Sequence, residues 1–399
     1  MFATIFSVLI AAYFYLSTVH QELNLSSTTA GNLLLILGSL FFFLPPFFRA
    51  FAWSPLQSAE KNSSPYVVEL YSKDRMLLLD QFIFILFAWL CYGIVIDLWF
   101  AKLLNIQLAM TVWIVVFGVA LDALYRFSKR TLKYLNPKYC VELFTKAATK
   151  SIQDEKEKDL YHWIDALAEV ATRAIQSTST SLCNFVCNEL QKLMRLFLDS
   201  AKSISHHTAD PQSRAMGISD KVSYTLFYVL QRLEVINNKA AQQHLEPVCS
   251  NLVTIAGKIV LASAQLDISL ATYPLPFLGR FALTALQHNV KEVGPKAVLT
   301  LQQVAKGIIN DNDVTYMELQ EPFFALINQM NEITKEMFRQ DKNINVQLLM
   351  QPFLDLKELF KSDKVAQHAD TPAITQRIDA VLSEYSALET VLKTMPAIP

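Results

Sequence analysis

Four stretches near the N-terminus carry almost no polar positions: Met1–Val19, Gly31–Phe48, Met76–Ile96 and Leu103–Leu121. A helix rising ~1.5 Å per residue needs about 20 apolar residues to cross a bilayer. The pattern therefore predicts four spanning helices, at about 1–19, 31–48, 76–96 and 103–121. The third is apolar apart from Asp80 and Gln81. The first has no positive start and no small-x-small site before a polar segment, so it reads as an uncleaved anchor. At the end of the second span the prolines Pro45 and Pro46 and the run Phe47 to Trp53 predict a broken helix. From there to Ser72 the chain should be loop or a short interfacial helix.

From about residue 123 the pattern changes. Apolar positions become periodic at helical spacing, and about ten helical stretches follow, with no convincing strand. Ile164, Leu167, Ala168, Ala171, Ala174 and Ile175 form one stripe, and Cys183, Val186, Cys187, Leu190, Met194 and Phe197 form another. Tyr224, Phe227, Leu230 and Leu233 mark a later helix. The clearest stripe runs from Ile374 to Leu392, with Thr371-Pro372 as its N-cap and first turn. Pro322 and Pro352 read as further helix starts, and the polar segment Ser203–Ser219 reads as an inter-helix loop. Leu167-x-x-Val170-Ala171-x-x-x-Ile175 recurs from Leu252 and from Leu301, at offsets that do not make one period. The fold class expected is all-α. A four-helix transmembrane region (1–122) leads through a basic juxtamembrane helix (123–150) to a cytosolic stack of helical hairpins (151–399).

Charge sets the orientation. Lysine and arginine are absent from His20–Thr29, whereas Arg49, Lys61, Lys73 and Arg75 follow the second span. Only Lys102 lies in the third loop, and Arg126, Lys129, Arg130, Lys133 and Lys138 follow the fourth span. The positive-inside rule then places both termini in the cytosol. Arg126, Lys129, Arg130 and Lys133 share one helix face. They are the candidate lipid-headgroup contacts, facing an anionic inner leaflet, and the same charges also serve as the topology signal. Asp80, Asp97 and Asp122 lie near span ends, and Asp122 is expected to pair with Arg126 four residues on. Gly93 and Gly118 allow close helix approach or a pathway.

Composition sharpens the picture. Only 18% of the 399 residues are charged and only 9 are glycine, which disfavours folds built on glycine-rich phosphate loops. A net charge of −1 gives no reason to expect a nucleic-acid partner. Five scattered cysteines make no disulfide framework. None of the common nucleotide, metalloprotease or hydrolase motifs occurs, so no catalytic, cofactor or metal residue is assigned and no cofactor is expected. Cys183 and Cys187 are a helical turn apart, as core residues or a metal pair. His206, His207 and Asp210 are loop residues or partial metal ligands. His162, Asp165 and Glu169 share a face, exposed or catalytic. Tyr273-Pro274-Leu275-Pro276 with Gly279 marks a break between helices whose aromatics could meet a partner.

The layout, with Glu169-Val170-Ala171-Thr172-Arg173-Ala174-Ile175 after the fourth span, resembles a group of bacterial four-span membrane proteins of unknown function with a C-terminal cytosolic helical domain. Gln176–Leu182 departs from that group, lacking its Pro-Gly and Asn-Asp-Pro. The resemblance implies a bacterial inner-membrane location and no assigned activity. The function expected is a membrane-anchored helical interaction or scaffold module with a protein partner or a second copy of itself. The alternative is a channel or transporter subunit, with Thr111 and Asn105 as lining groups; an enzyme acting at the membrane is a third reading.

Overall fold

The computed structural model describes residues 2–18, 27–62, 64–101, 106–206, 211–312, 314–315 and 317–394. Side chains are described within these except at 14, 17–18, 27, 106–107, 202–206, 211–220 and 392–394. The described residues contain fifteen α-helices and no strand. The chain divides into two compact units, residues 1–140 and 141–399.

The first unit is built from α1 (Phe2–Thr18), α2 (Ser27–Asn62), α3 (Val67–Ser72), α4 (Arg75–Ile96, continued by a π-helical turn Asp97–Ala101) and α5 (Ile106–Tyr134). Neighbours run antiparallel. Phe41 of α2 packs edge-on against Phe87 and Phe84 of α4, at 4.7 and 6.0 Å between ring centres. Phe87 and Phe117 of α5 lie 5.6 Å apart, and Trp113 stacks on Phe117 at 5.3 Å. The Trp113 Nε1–H donates to Cys91 Sγ at 3.2 Å. Rings therefore fill the centre. α1 approaches α5 closely: a Cβ on Gly118 would lie 1.8 Å from Ser7 Oγ and 2.8 Å from the Ala3 carbonyl. Three helices of this unit are long and apolar enough to cross a membrane, Thr28–Asn62, Arg75–Ala101 and Leu108–Tyr134. α1 is a shorter apolar helix of 17 residues.

The expected break at Pro45-Pro46 does not occur. α2 continues through Pro45, Pro46 and Pro55 to Asn62. Each proline forfeits a helical hydrogen bond, but packing on both sides of the pair holds one axis. Phe41 before it is fixed by Phe84 and Phe87. Phe48 after it meets Phe127 at 5.3 Å, and Leu56 is fully buried.

The second unit comprises most of α6 (Pro137–Gln153), then α7 (Glu157–Gln176), α8 (Thr180–His206), α9 (Pro211–Gln242), α10 (Glu246–Leu266), α11 (Pro274–Gln287), α12 (Val293–Asp311), α13 (Gln320–Gln340), α14 (Val346–Leu359) and α15 (Thr371–Thr394). From α7 onward each helix packs on the next but one, and each except α13 packs on the next. Odd-numbered helices thus form one layer and even-numbered helices the other. The three copies of the Leu-x-x-Val/Ile-Ala motif all supply core: Leu167, Ala171, Leu252, Ala256, Leu301 and Ala305 are fully buried. They sit on α7, α10 and α12, so the motif is out of phase with the two-helix structural repeat.

That repeat is instead visible at the turns. α7 ends with the Ser179 N–H on the Ala174 carbonyl and the Thr178 N–H on the Ile175 carbonyl, both 2.8 Å. The same pair of bonds closes α6 at Glu155, α9 at His244 and α11 at Asn289. This is the Schellman cap, whose left-handed residue is usually glycine. Here it is Glu155, Thr178, His244 or Asn289, each with φ between 53° and 62°. A chain with few glycines makes its hairpins from strained L-residues.

Three sequence expectations shift. Pro352 lies inside α14, not at its start. Much of Ser203–Ser219 belongs to α8 and α9, not to a loop; residues 207–210 lie outside the described residues. Thr371 is the first residue of α15 and donates its hydroxyl to the Val365 carbonyl. α10 is as apolar as a membrane span, yet 61% of its most apolar stretch is buried, against 22–39% for the spans of the first unit. Its neighbours α8, α9, α11 and α12 enclose it, so it is core.

Thr178→Gly should raise stability by about 1 kcal/mol, since an L-residue in the left-handed region costs roughly 1–2 kcal/mol that glycine does not incur. Denaturant unfolding of the full chain in detergent, followed by helix signal, checks this; no gain would show that the Schellman turn is not strained.

Candidate functional site

The first unit is apolar outside as well as inside. Phe2, Phe6, Leu9, Leu16, Ile36, Phe43, Phe47, Phe51, Leu86 and Trp89 are all exposed, Phe2 at 93%. In water each such side chain forgoes about 1.5–3 kcal/mol of burial. A contiguous patch of this size is what a lipid or partner surface presents. Charge clusters at one end, where Asp74, Arg75, Arg126, Lys129, Arg130 and Lys133 lie on the start of α4 and the end of α5, while Asp97 lies at the other end of α4.

At that end the four basic residues divide. Arg126 donates to the buried Asp80 carboxylate at 2.8 Å, not to Asp122 as its i, i+4 spacing suggested. Asp122 faces α1, accepting the backbone N–H groups of Ala3 and Thr4 at 3.2 and 3.0 Å and the Thr4 hydroxyl. It caps the N-terminus of α1, which the sequence spacing could not reveal because the partner is over a hundred residues away. Arg130 bonds Asp74 at 2.5 Å, and the Tyr134 hydroxyl donates to the same oxygen at 2.7 Å. Asp74 also caps α4 by accepting from the Met76 N–H. Lys129 and Lys133 remain exposed, lying over the rings of Tyr125 and Tyr139 at 5.6 and 5.7 Å. Two of the four positive charges therefore lie against carboxylates and two face outward.

In the second unit the candidates resolve differently. Cys183 and Cys187 are fully buried on the core face of α8. The hydrogen bond to Cys183, with burial, holds the Cys187 thiol well above its ordinary value. Neither condition favours the thiolate that a metal or nucleophilic role needs. Among the described residues no group of three His, Cys, Asp or Glu side chains could hold a metal. The side chains of His206, His207 and Asp210 lie outside the described residues. Asp165 is engaged by Arg232 at 2.7 Å and by the Tyr228 hydroxyl at 2.8 Å, and Glu169 by Arg173. They border an open depression and not a deep cleft. Gly279 faces Gln329, so it serves close packing of α11 on α13. Of the Tyr273–Pro276 break, Tyr273 is exposed while Pro274 and Leu275 are buried.

One surface escaped sequence reading. Tyr224 and Phe227, which with Leu230 and Leu233 mark α9 in the sequence, are 59% and 45% exposed. The buried face of α9 is Val222, Leu226, Val229, Leu230 and Leu233. Tyr161 of α7 meets Tyr228 at 4.7 Å, Arg232 lies over Tyr228 at 4.9 Å, and Phe227 meets Phe277 of α11 at 5.6 Å. Arg280 stacks on Phe277 at 4.1 Å. An aromatic and arginine ridge thus crosses three helices of the odd layer. A stripe spaced i, i+3, i+6 drifts off one helix face, and that drift was the available signal.

Asp74 carries a pH prediction. Burial pushes its carboxyl up, but hydrogen bonds from Tyr134, Arg130 and the Met76 N–H outweigh burial and hold it below its ordinary value. A lowered carboxylate contributes stability above the unfolded-state range near pH 4 and loses it as pH falls through the folded value. Asp74→Asn should therefore cost about 1.5 kcal/mol at pH 7, the low end for a charge-assisted bond because Arg130 is 36% exposed. The difference should shrink and disappear as pH falls through the lowered folded-state value. Unfolding midpoints of both proteins across this range decide it; a gap that persists in acid would reject the assignment.

No family model matches the chain, and no curated protein resembles it. Among solved structures, a circular tandem repeat protein with novel repeat topology and enhanced subunit contact surfaces is 13% identical, with 92% of this chain and 99% of that chain covered and a TM-score of 0.28. A chain from the computational design of self-assembling cyclic protein homooligomers is 12% identical, with 63% of this chain and 96% of that one covered, also at 0.28. At that score neither likeness bears on fold or activity.

Proposed function

We propose that the chain is a membrane-anchored helical scaffold, whose first unit holds it in the bilayer and whose second unit presents helical surfaces to a protein partner. The observation that carries this reading is the inverted exposure of the first unit beside the conventional burial of the second. The first shows Phe2, Phe43, Phe82, Trp89 and Phe100 to its surroundings. The second encloses α10, a helix also long and apolar enough to cross a membrane. The aromatic and arginine ridge, with Tyr224, Phe227 and Arg280 exposed and Phe277 buried, has the composition that dominates binding hot spots. The ring-filled centre of the first unit weighs against the alternative reading of a channel through one bundle.

The antiparallel order supports four crossings with both ends of the unit on one side. Ala3 at the start of α1 lies beside Asp122 of α5, and Tyr71, before α4, lies against Tyr134 at the end of α5. α1, with 17 residues at ~1.5 Å each, spans about 26 Å, a little short of the ~30 Å hydrocarbon core. The charged end is the cytosolic one by the positive-inside rule. Reporter fusions after Thr29 and Leu104 should read outside, and after Ser64 and Lys150 inside; a cytosolic signal at Thr29 would remove α1 from the bilayer.

Headgroup contact then falls to Lys129 and Lys133, while Arg126 and Arg130 serve mainly to join α4 and α5. Lys129→Glu with Lys133→Glu should reduce retention of anionic lipid by the purified chain by roughly 1 kcal/mol per charge, with folding unchanged. Arg126→Gln with Arg130→Gln should lower thermal stability first. Lipid retention measured at low salt separates the two pairs, and equal lipid loss with equal stability would refute this division.

A further inference from the structure

The arginines of the first unit are Arg49, Arg75, Arg126 and Arg130. Arg126 is held by Asp80 and Arg130 by Asp74, and Arg75 follows Asp74 directly in the chain. Arg49 of α2 is exposed and has no carboxylate partner among the described residues. Phe41 and Phe48 of α2 meet Phe117 and Phe127 of α5, at 6.2 and 5.3 Å between ring centres, so these two helices run parallel and in step. One residue past Phe48, Arg49 is level with the turn of α5 that leads to Arg130, at the charged end of the unit.

Its surroundings are nonetheless apolar. Phe47 and Phe51 stack on either side of it in the chain, with ring centres 6.3 Å apart, and both are exposed. Trp53, one turn further on, is half exposed. The charge of Arg49 is felt at Tyr71 of α3: burial pushes that hydroxyl up, while the Thr131 hydrogen bond and the Arg49 guanidinium pull the other way. The side chain therefore reaches from the aromatic face toward the charged end, as a long cationic stem does at an interface. A cation set among lipid-facing rings is costly until something neutralises it. Asp80 and Asp74 do so for the arginines of α5, whereas the guanidinium of Arg49 makes no hydrogen bond to the described residues. Its planar fork of N–H donors matches two oxygens of one phosphate.

We propose that Arg49 binds the phosphodiester of an anionic glycerophospholipid, whose acyl chains lie along Phe47, Phe51 and Trp53 of α2. This rests on the membrane reading and adds to it a lipid contact on α2, outside the basic stripe of α5. A headgroup without an ammonium is preferred, because its charge is left for the guanidinium to match.

Lipid titration of the purified full chain in detergent, with bound lipid counted by native mass spectrometry, tests the contact. Arg49→Gln should weaken binding of dioleoylphosphatidylglycerol about tenfold, through loss of paired charge-assisted bonds. Lys61→Gln, an exposed cation about three turns further along α2, should change it by less than about twofold. Arg49→Lys keeps the charge without the fork and should fall between them. Unchanged affinity in Arg49→Gln, equal losses at both positions, or an equal loss of dioleoylphosphatidylcholine would each overturn the proposal. Should Arg49→Gln fail to fold, Arg49→Lys decides alone, and an affinity equal to that of the unaltered chain overturns the bidentate contact. The topology fusions do not involve Arg49. If they place the first unit in the bilayer while Arg49→Gln binds lipid normally, this contact fails and the anchor stands; if they read cytosolic throughout, both fail.

Discussion

If the first unit lies in a bilayer, as we propose, lipid and not water is its solvent, and most of its construction follows from that constraint. Its helices turn phenylalanine, leucine and tryptophan outward along their length. Where no water can hydrogen-bond the backbone, a helix must satisfy its own polar groups. Side chains that cap or pair must then do so inside the bundle. Asp122 caps α1 from α5, and Asp80 meets Arg126. Asp74 caps α4 while binding Arg130 and Tyr134. The contacts that fix the helices relative to one another are thus polar at the charged end and aromatic through the middle.

The second unit answers a different constraint. Its apolar residues are buried in a core, and its problem is to reverse the chain repeatedly with few glycines. The Schellman turns at Glu155, Thr178, His244 and Asn289 solve it with left-handed L-residues. The first lies between α6 and α7, and the other three recur between α7 and α8, α9 and α10, and α11 and α12. The repeat is one of backbone geometry. A sequence motif centred on Ala171, Ala256 and Ala305 follows close helix packing instead, and so falls on members of either layer.

The all-helical class, the apolar segments and the core stripes of α7, α8, α10 and α12 were legible because each depends on local spacing. The continuity of α2 was not. Pro45 and Pro46 are local signals against a helix, and what overrides them is Phe41 on Phe87 and Phe48 on Phe127, contacts made with residues some forty and eighty positions away. The same limit hid the partner of Asp122. Arg126 lies at the right spacing on the same helix, but Asp80 of α4 holds it. Tyr224, Phe227, Leu230 and Leu233 mark a helix, but a three-residue spacing drifts around it, so local pattern does not say that the first two face outward.

These long-range pairings change what charge along a chain can mean. A stripe of four cations at i, i+3, i+4 and i+7 carries its full weight as a topology signal, since orientation is set by lysine and arginine and little by acidic residues. Its weight at a lipid surface is what remains after folding. Arg126 and Arg130 each lie within 2.8 Å of a carboxylate that is 2% or 6% exposed. Those carboxylates, desolvated as they are, would be costly to leave unpaired. The arginines are therefore held by the fold before any headgroup can recruit them. Lys129 and Lys133, resting on tyrosine rings with their ammonium groups outward, keep the freedom to meet a phosphate. The arginines' fixed fork suits the internal ion pairs, and the flexible lysine stems suit a mobile surface.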